Sequence, residues 1–193
     1  MKKIFAIISL LAITACGTVP VKYEAQNFYR VEDAKKTEVT VGDFNYIPFN
    51  EGKLDANQLH NTAMGRIYIA TNVADYVKRA TALELEKSGY KLSDKAKLKI
   101  QADILDFTAD DLGYSIDWDY SVKYKIYDNE KNTLVFEKVY KTESTKTGKF
   151  GLPEDYTPSI NEKILNGYDL FIRDSDAQDE RCFCRVERQK QAA

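Results

Sequence analysis

Residues 114–126 read "YSIDWDYSVKYKI", and every second residue is apolar or aromatic. Tyr114, Ile116, Trp118, Tyr120, Val122, Tyr124 and Ile126 fall on one side, while Ser115, Asp117, Asp119, Ser121, Lys123 and Lys125 fall on the other. A period of two describes a β-strand with one dry face and one wet face. Two uses of the aromatic side are open. It is the inner face of a core, or it is a binding platform built from Trp118, Tyr114, Tyr120 and Tyr124. Each tyrosine must bring its hydroxyl to a partner or to water, which places Tyr114 or Tyr120 at a sheet margin. A run this long exceeds what two short helices cover.

The flanking sequence supplies the partners of this strand. Upstream, "AKLKIQADILDF" alternates through Leu98, Ile100, Ala102 and Ile104, then slips phase to Leu105 and Phe107, the mark of a bulge or of burial on both faces. Downstream, "DNEKN" at 128–132 is a polar turn and "TLVFEKVYKTEST" returns as the second arm of a hairpin. Further back, "TEVTVGDFNYIPF" reads as a strand ended by Pro48, a polar loop containing His60 follows, and "RIYIA" is a short strand or the lead into a helix.

Two segments carry the helical period instead. Asn72 caps "VADYVKRATALELEKSG", in which Val73, Tyr76, Val77, Ala80 and Leu83 share a face, Glu84 and Glu86 look outward, and Gly89 is the left-handed stop. A loop rich in Lys, Gly and Pro, "KTGKFGLPEDY", leads to the second helix. Thr157 or Ser159 caps it, Pro158 lies in its first turn, and Ile160, Ile164, Tyr168, Phe171 and Ile172 line one face. The expected fold is α+β: a mainly antiparallel sheet with two amphipathic helices packed on one face.

The N-terminus carries a different kind of information. Lys2 and Lys3 precede the apolar run "IFAIISLLAI", which is too short for a spanning helix of about 20 residues and reads as an export signal. The quartet Ile13-Thr14-Ala15-Cys16 closes it and resembles a bacterial lipobox. By that resemblance Cys16 is lipidated and becomes the first mature residue; the alternative is a plain secretory signal with a chance cysteine. Gly17 rather than Asp follows, a pattern resembling outer-membrane sorting. Residues 1–15 are then the signal peptide, 16–36 the lipidated cysteine and tether, 37–175 one α+β sandwich domain and 176–193 a charged tail. Tyr23, Phe28 and Tyr29 could dock the tether on the domain.

Composition narrows the partners. The chain has 193 residues with Lys and Arg (28) nearly balancing Asp and Glu (30), so there is no basic stripe for nucleic acid. A single histidine, His60, leaves no triad and no multi-histidine metal site, and no cofactor is expected. Asp117 and Asp119, at i and i+2 on a strand face, stand roughly 6.5 Å apart, near separations used in glycoside hydrolysis, with Asp110 and Asp111 just upstream. Such pairs are also ordinary solvated charges. Cys182 and Cys184 form a Cys-x-Cys in the tail that could pair in an oxidising compartment, within one chain or between two.

Taken together, the lipobox, the strand, the helix ending in "LEKSGY", the strand "LKIQADILDF", the hairpin and the last helix near "LFIRD" resemble small Gram-negative lipoproteins of the YajG type. More loosely they resemble the auxiliary lipoproteins of ABC transporters and the lipopolysaccharide-assembly lipoproteins. The resemblance implies a non-enzymatic outer-membrane lipoprotein. Its domain would face the periplasm rather than the cell surface, and would bind a protein or another envelope component. An envelope hydrolase using Asp117 and Asp119, and a surface-exposed adhesin, are the alternatives.

Overall fold

The structure, a computed structural model, describes residues 18–26, 37–63, 65–149 and 155–179. Eight strands and three helices follow in the order β1 (Glu38–Tyr46), α1 (Ile47–Asn50), β2 (Gln58–Leu59), β3 (Ile67–Tyr68), α2 (Val73–Ser88), β4 (Lys91–Leu92), β5 (Leu98–Asp110), β6 (Ser115–Asp128), β7 (Thr133–Lys141), β8 (Thr145–Gly148) and α3 (Tyr156–Asp179). The main sheet has the order β4-β1-β5-β6-β7, with β8 also paired to β6. β5, β6 and β7 are antiparallel neighbours. β1 runs parallel to β5 and to β4, because α2 carries the chain back over the sheet between them. The α+β class therefore holds, with two parallel pairings, both made by β1, in a mainly antiparallel sheet.

The sheet's strands behave as their periods require. Along β6 burial alternates without a break from Ser115 to Asp128. Asp128 ends the buried row as a turn residue, its Oδ1 accepting the amides of Glu130 and Lys131 at 2.9 and 3.0 Å. The phase slip on β5 is a bulge between Ile104 and Asp106.

The aromatic row is the core. Trp118, Tyr120 and Tyr124 are fully buried, so the binding platform proposed for them is corrected: both long helices lie over that face. Tyr114 is the exception. It precedes β6 in the turn and is 99% exposed, so parity with Trp118 does not place it on the core side. α3, with its 24 residues, is roughly 36 Å long and covers the strand that two short helices would leave open. It runs past the expected boundary at 175 to Asp179.

Buried tyrosines find partners in the helices. Tyr124 stacks on Phe171 at 4.3 Å and its hydroxyl meets Thr81 Oγ1 at 3.1 Å, while the Tyr168 hydroxyl meets Ser88 Oγ at 2.9 Å. Trp118 donates from Nε1 to Thr147 Oγ1 at 2.8 Å, which ties β8 to the core. Tyr120, expected at a margin, is wholly buried, and its hydroxyl has no hydrogen-bond partner among the described residues. α3 approaches it closely because position 167 is glycine: a Cβ there would stand 2.7 Å from Tyr120 Cε1.

α2 begins and ends as its sequence demands. Asn72 accepts the Ala74 amide through its side chain, and Gly89 takes the left-handed cap with φ 106°. Its buried face is rotated from the expected one. Thr81, Glu84, Leu85 and Ser88 are buried, while Leu83 is exposed, because α3 and an N-terminal segment pack against that side. α3 starts at Tyr156, before the expected caps, with Pro158 in its first turn. Lys163 on α3 is buried and donates to the Glu143 carbonyl at 2.5 Å, where the edge of the sheet bends between β7 and β8. Burial pulls its ammonium below the ordinary lysine value.

Candidate functional site

Both long helices occupy one face of the sheet, and the opposite face carries the polar half of β6 together with the exposed Val139 of β7, which stands opposite Lys123. At the β1 side Asp103, 7% exposed, stands opposite Lys123 in register. Its carboxylate meets Lys125 Nζ at 2.6 Å and Lys123 Nζ at 3.3 Å and accepts from Asn45 Nδ2 at 3.0 Å. Lys123 also reaches Glu137 at 3.8 Å. Burial alone would raise the Asp103 carboxyl, but the hydrogen bonds from Lys125 and Asn45 outweigh it and hold the group below its usual value. Burial would likewise lower Lys125, and its bond to Asp103 reverses that.

Toward the other end the same face becomes acidic. Asp110 and Asp117 are directly opposite in the β5–β6 register, and Asp119 is opposite Thr108. Each of these carboxylates has a partner. Asp110 accepts from Thr62 Oγ1 and Asp119 from Ser144 Oγ. Asp117 has Lys146 Nζ at 3.1 Å, an ionic contact whose angle makes no hydrogen bond to Asp117 Oδ1. Asp111 lies between Asn61 Nδ2 at 2.8 Å and Lys149 Nζ at 3.2 Å. The pair of aspartates thus forms a polar rim rather than two free carboxyls facing a common gap.

His60 is not an isolated loop residue. It bridges in parallel to Thr108, donating its amide to the Phe107 carbonyl while its carbonyl accepts from Ala109. Its half-exposed ring places Nδ1 3.2 Å from Thr108 Oγ1 and 3.7 Å from Asp106 Oδ1. The Thr108 hydroxyl is in turn 3.0 Å from Asp106 Oδ1. The Thr108 hydroxyl thus stands within hydrogen-bonding reach of both the Asp106 carboxylate and the His60 ring. Asp106 and Thr108 are 46 and 48 positions from His60 in sequence, and no local pattern announces their meeting.

The N-terminal segment, read as a tether that Tyr23 could dock, is the other feature of note. Residues 18–26 lie on the domain rather than away from it. Val19 bridges in parallel to Ile69 and is 3% exposed. Its amide donates to the Tyr68 carbonyl at 2.7 Å and its carbonyl accepts from Ala70 at 2.9 Å. Thr157 Oγ1 donates to the Pro20 carbonyl at 2.6 Å, and Asn161 Nδ2 to the Lys22 carbonyl at 2.9 Å. The Tyr23 hydroxyl donates to Glu84 Oε1 at 2.6 Å and the Gln26 amide to the same oxygen at 3.0 Å. This explains why Glu84 is buried. The segment lies along α2 and α3 as a third layer, with Tyr23 edge-on to Tyr76 at 6.2 Å.

Cys16, Phe28, Tyr29, Cys182 and Cys184 lie outside the described residues. Among the described residues no group of three or more His, Cys, Asp or Glu side chains is arranged to hold a metal, and no helix is long and apolar enough to cross a membrane.

No family model matches the sequence, and no curated protein matches it. Solved structures do. A Xanthomonas campestris protein assigned to the family model DUF330 is similar with a TM-score of 0.56 at 11% identity, over 82% of this chain and 96% of that one. The likeness is one of fold. A hypothetical protein from Chlamydia trachomatis follows with a TM-score of 0.47 at 10% identity, over 73% and 96% of the two chains. A minor lipoprotein from Acinetobacter baumannii has a TM-score of 0.42 at 10% identity, over 74% and 94%.

Proposed function

We propose that this chain is a non-catalytic lipoprotein of the bacterial outer membrane, anchored through Cys16. Its periplasm-facing domain binds a protein or another envelope component with the uncovered face of the sheet. The resemblance to lipoproteins of the YajG type and, more loosely, to the auxiliary lipoproteins of ABC transporters supports this class of role. The observation that carries the reading is the one-sided sheet: Asp103, Lys123, Lys125 and Glu137 form a continuous ionic row on the face opposite the two long helices of the described residues. Such a row offers charge and hydrogen bonding beside the exposed Val139, and charge patterns of this kind select partners and orient them. The lipobox at the end of the export signal supports the location.

Photo-crosslinking in living cells tests it. A photoreactive residue at Gln101 or Ser121 on the open face should trap a defined envelope component, and one at Leu83 on the helix side should not. Equal trapping from Leu83, or none from the open face, would overturn the assignment. The Asp117→Asn, Asp119→Asn double variant should leave the adduct and the envelope phenotype unchanged. Loss of phenotype with fold and adduct intact would turn the reading toward a hydrolase. Protease treatment of whole cells should spare the domain; cleavage would indicate a surface adhesin.

A further inference from the structure

We infer that β7 is the pairing edge of a two-fold dimer: its open edge binds the same edge of a second copy of this chain, antiparallel, with the axis at Val139. The inference goes beyond the proposed partner of the open face and does not rest on the anchor.

The edge itself is unusual. β7 ends the sheet and pairs with β6 alone, while β8 takes the stretch of β6 from Ser115 to Trp118 that β7 leaves free. Among the described residues no strand pairs with the outer side of β7. Sheets usually keep such edges short or covered, because free amides and carbonyls recruit another strand. β7 is nine residues long, and it carries Leu134, Val135 and Val139, more exposed large apolar side chains than any other element of the described residues. Apolar side chains gathered on an unpaired edge mark a contact surface.

Hydrogen-bond phase fixes which residues face outward. Thr142, the residue after β7, donates its amide to the Tyr120 carbonyl at 3.0 Å, in step with Lys141 opposite Ser121 and Tyr140 opposite Val122. Backbone groups alternate sides along an antiparallel strand. Tyr140 and Lys138 therefore also turn theirs to β6, and those of Lys141, Val139 and Glu137 point away from it. All three of these outward residues are exposed. The register shift opposite Ile126 and Tyr127 interrupts the row before Phe136, which confines regular pairing to the second half of the strand.

Charge selects a second copy as the occupant. With the axis at Val139, that residue meets its own counterpart and Glu137 stands opposite Lys141 of the partner subunit, twice by symmetry. Every outward amide and carbonyl from Glu137 to Lys141 then finds a mate. Lys141 makes no ion pair among the described residues, so it gives up nothing to do this. The neighbouring symmetric registers fail, since like charges directly opposite each other are destabilising. An axis at Glu137, Lys138 or Lys141 sets that residue against itself, and an axis at Tyr140 sets Glu137 against Glu143. A purely basic edge would repel its copy; the sequence Glu137, Val139, Lys141 attracts it. Val139 and Glu137 stand opposite Lys123 and Lys125, so the dimer joins the two open faces into one surface on which the ionic rows abut.

The test uses the full-length chain in whole cells, with Cys182→Ser and Cys184→Ser and one cysteine added at a time, oxidised with copper phenanthroline. Opposed residues of a hydrogen-bonded antiparallel pair have Cα atoms about 5.5 Å apart, within the span that a disulfide bridges. Val139→Cys should therefore give a disulfide-linked homodimer, whereas Leu83→Cys on the helix side and Lys131→Cys in the β6–β7 turn should not. Adding Lys141→Glu, which sets acid against acid on both sides of the axis, should lower the yield about tenfold, and Lys141→Arg should preserve it. Reaction with maleimide is measured on the same cells. A Val139→Cys chain that takes maleimide but forms no dimer would overturn the pairing, as would an adduct to a different protein. Equal dimer from Leu83→Cys or Lys131→Cys, or a yield that Lys141→Glu leaves unchanged, would overturn it too. Photo-crosslinking from Gln101 and Ser121 reads the partner of the open face separately, so either reading can fall without the other.

Discussion

Replacing Trp118 by Ala and, separately, Tyr114 by Ala separates the two fates of one alternating row. Trp118 is fully buried, edge-on to Tyr156 at 5.9 Å, and bonded to Thr147 on β8. Truncation removes a large apolar group from a packed site and should cost about 3–5 kcal/mol, a large share of the ~5–15 kcal/mol that holds a single domain together. At about 2–4 °C per kcal/mol for a domain of this size, the melting temperature should fall by roughly 6–20 °C. The loss should be spatially biased, because β8 loses the hydrogen bond that ties it to β6. Amides of β8 should exchange sooner than those of β7. Tyr114, almost entirely in water, should change stability by no more than about 0.5 kcal/mol. Trp118 is the one tryptophan of the chain, so unfolding should be followed by circular dichroism in urea rather than by its fluorescence, on the soluble Cys16→Ser protein. A Trp118→Ala variant as stable as its parent, or a Tyr114→Ala variant that loses more than Trp118→Ala, would refute the assignment of the buried face.

Tyr23→Phe removes the hydroxyl that donates to the buried Glu84 carboxylate and should cost about 1.5–3 kcal/mol, the range for a hydrogen bond to a charged group. Faster exchange of the Val19 and Ala70 amides should accompany it if the N-terminal segment is held as described. Asp103 has a folded-state value held below that of the unfolded chain, so its stabilisation is present above the unfolded value of about 3.9 and is lost as pH falls through the lower folded value. Asp103→Asn should therefore lower the urea midpoint at neutral pH, with the gap to the parent closing in strong acid. A gap that is constant with pH would show that the ionic row contributes nothing through this carboxylate.

What the amino-acid sequence determined by itself is whatever consecutive side chains encode. The period of two from Ser115 to Asp128, the bulge after Ile104, the polar turn at 128–132, the Asn72 cap and the Gly89 stop are local, and each was legible because its physics is satisfied within a few residues. The apolar stripe of α3 was legible for the same reason. Tertiary structure alone decided the rest. β8 pairs with the first third of β6 although "TKTG" has no strand period, because β7 ends against Ser121 and leaves that edge open. Tyr114 shares parity with Trp118 yet lies in water, since the strand begins one residue later. Glu84 is buried rather than solvated because Tyr23 and Gln26, 61 and 58 positions away, bring it their donors. His60 meets Asp106 and Thr108 across a similar distance. The burial of a polar group depends on which distant segment supplies its partner, and that choice is made by the packing of whole elements, not by the residues beside it.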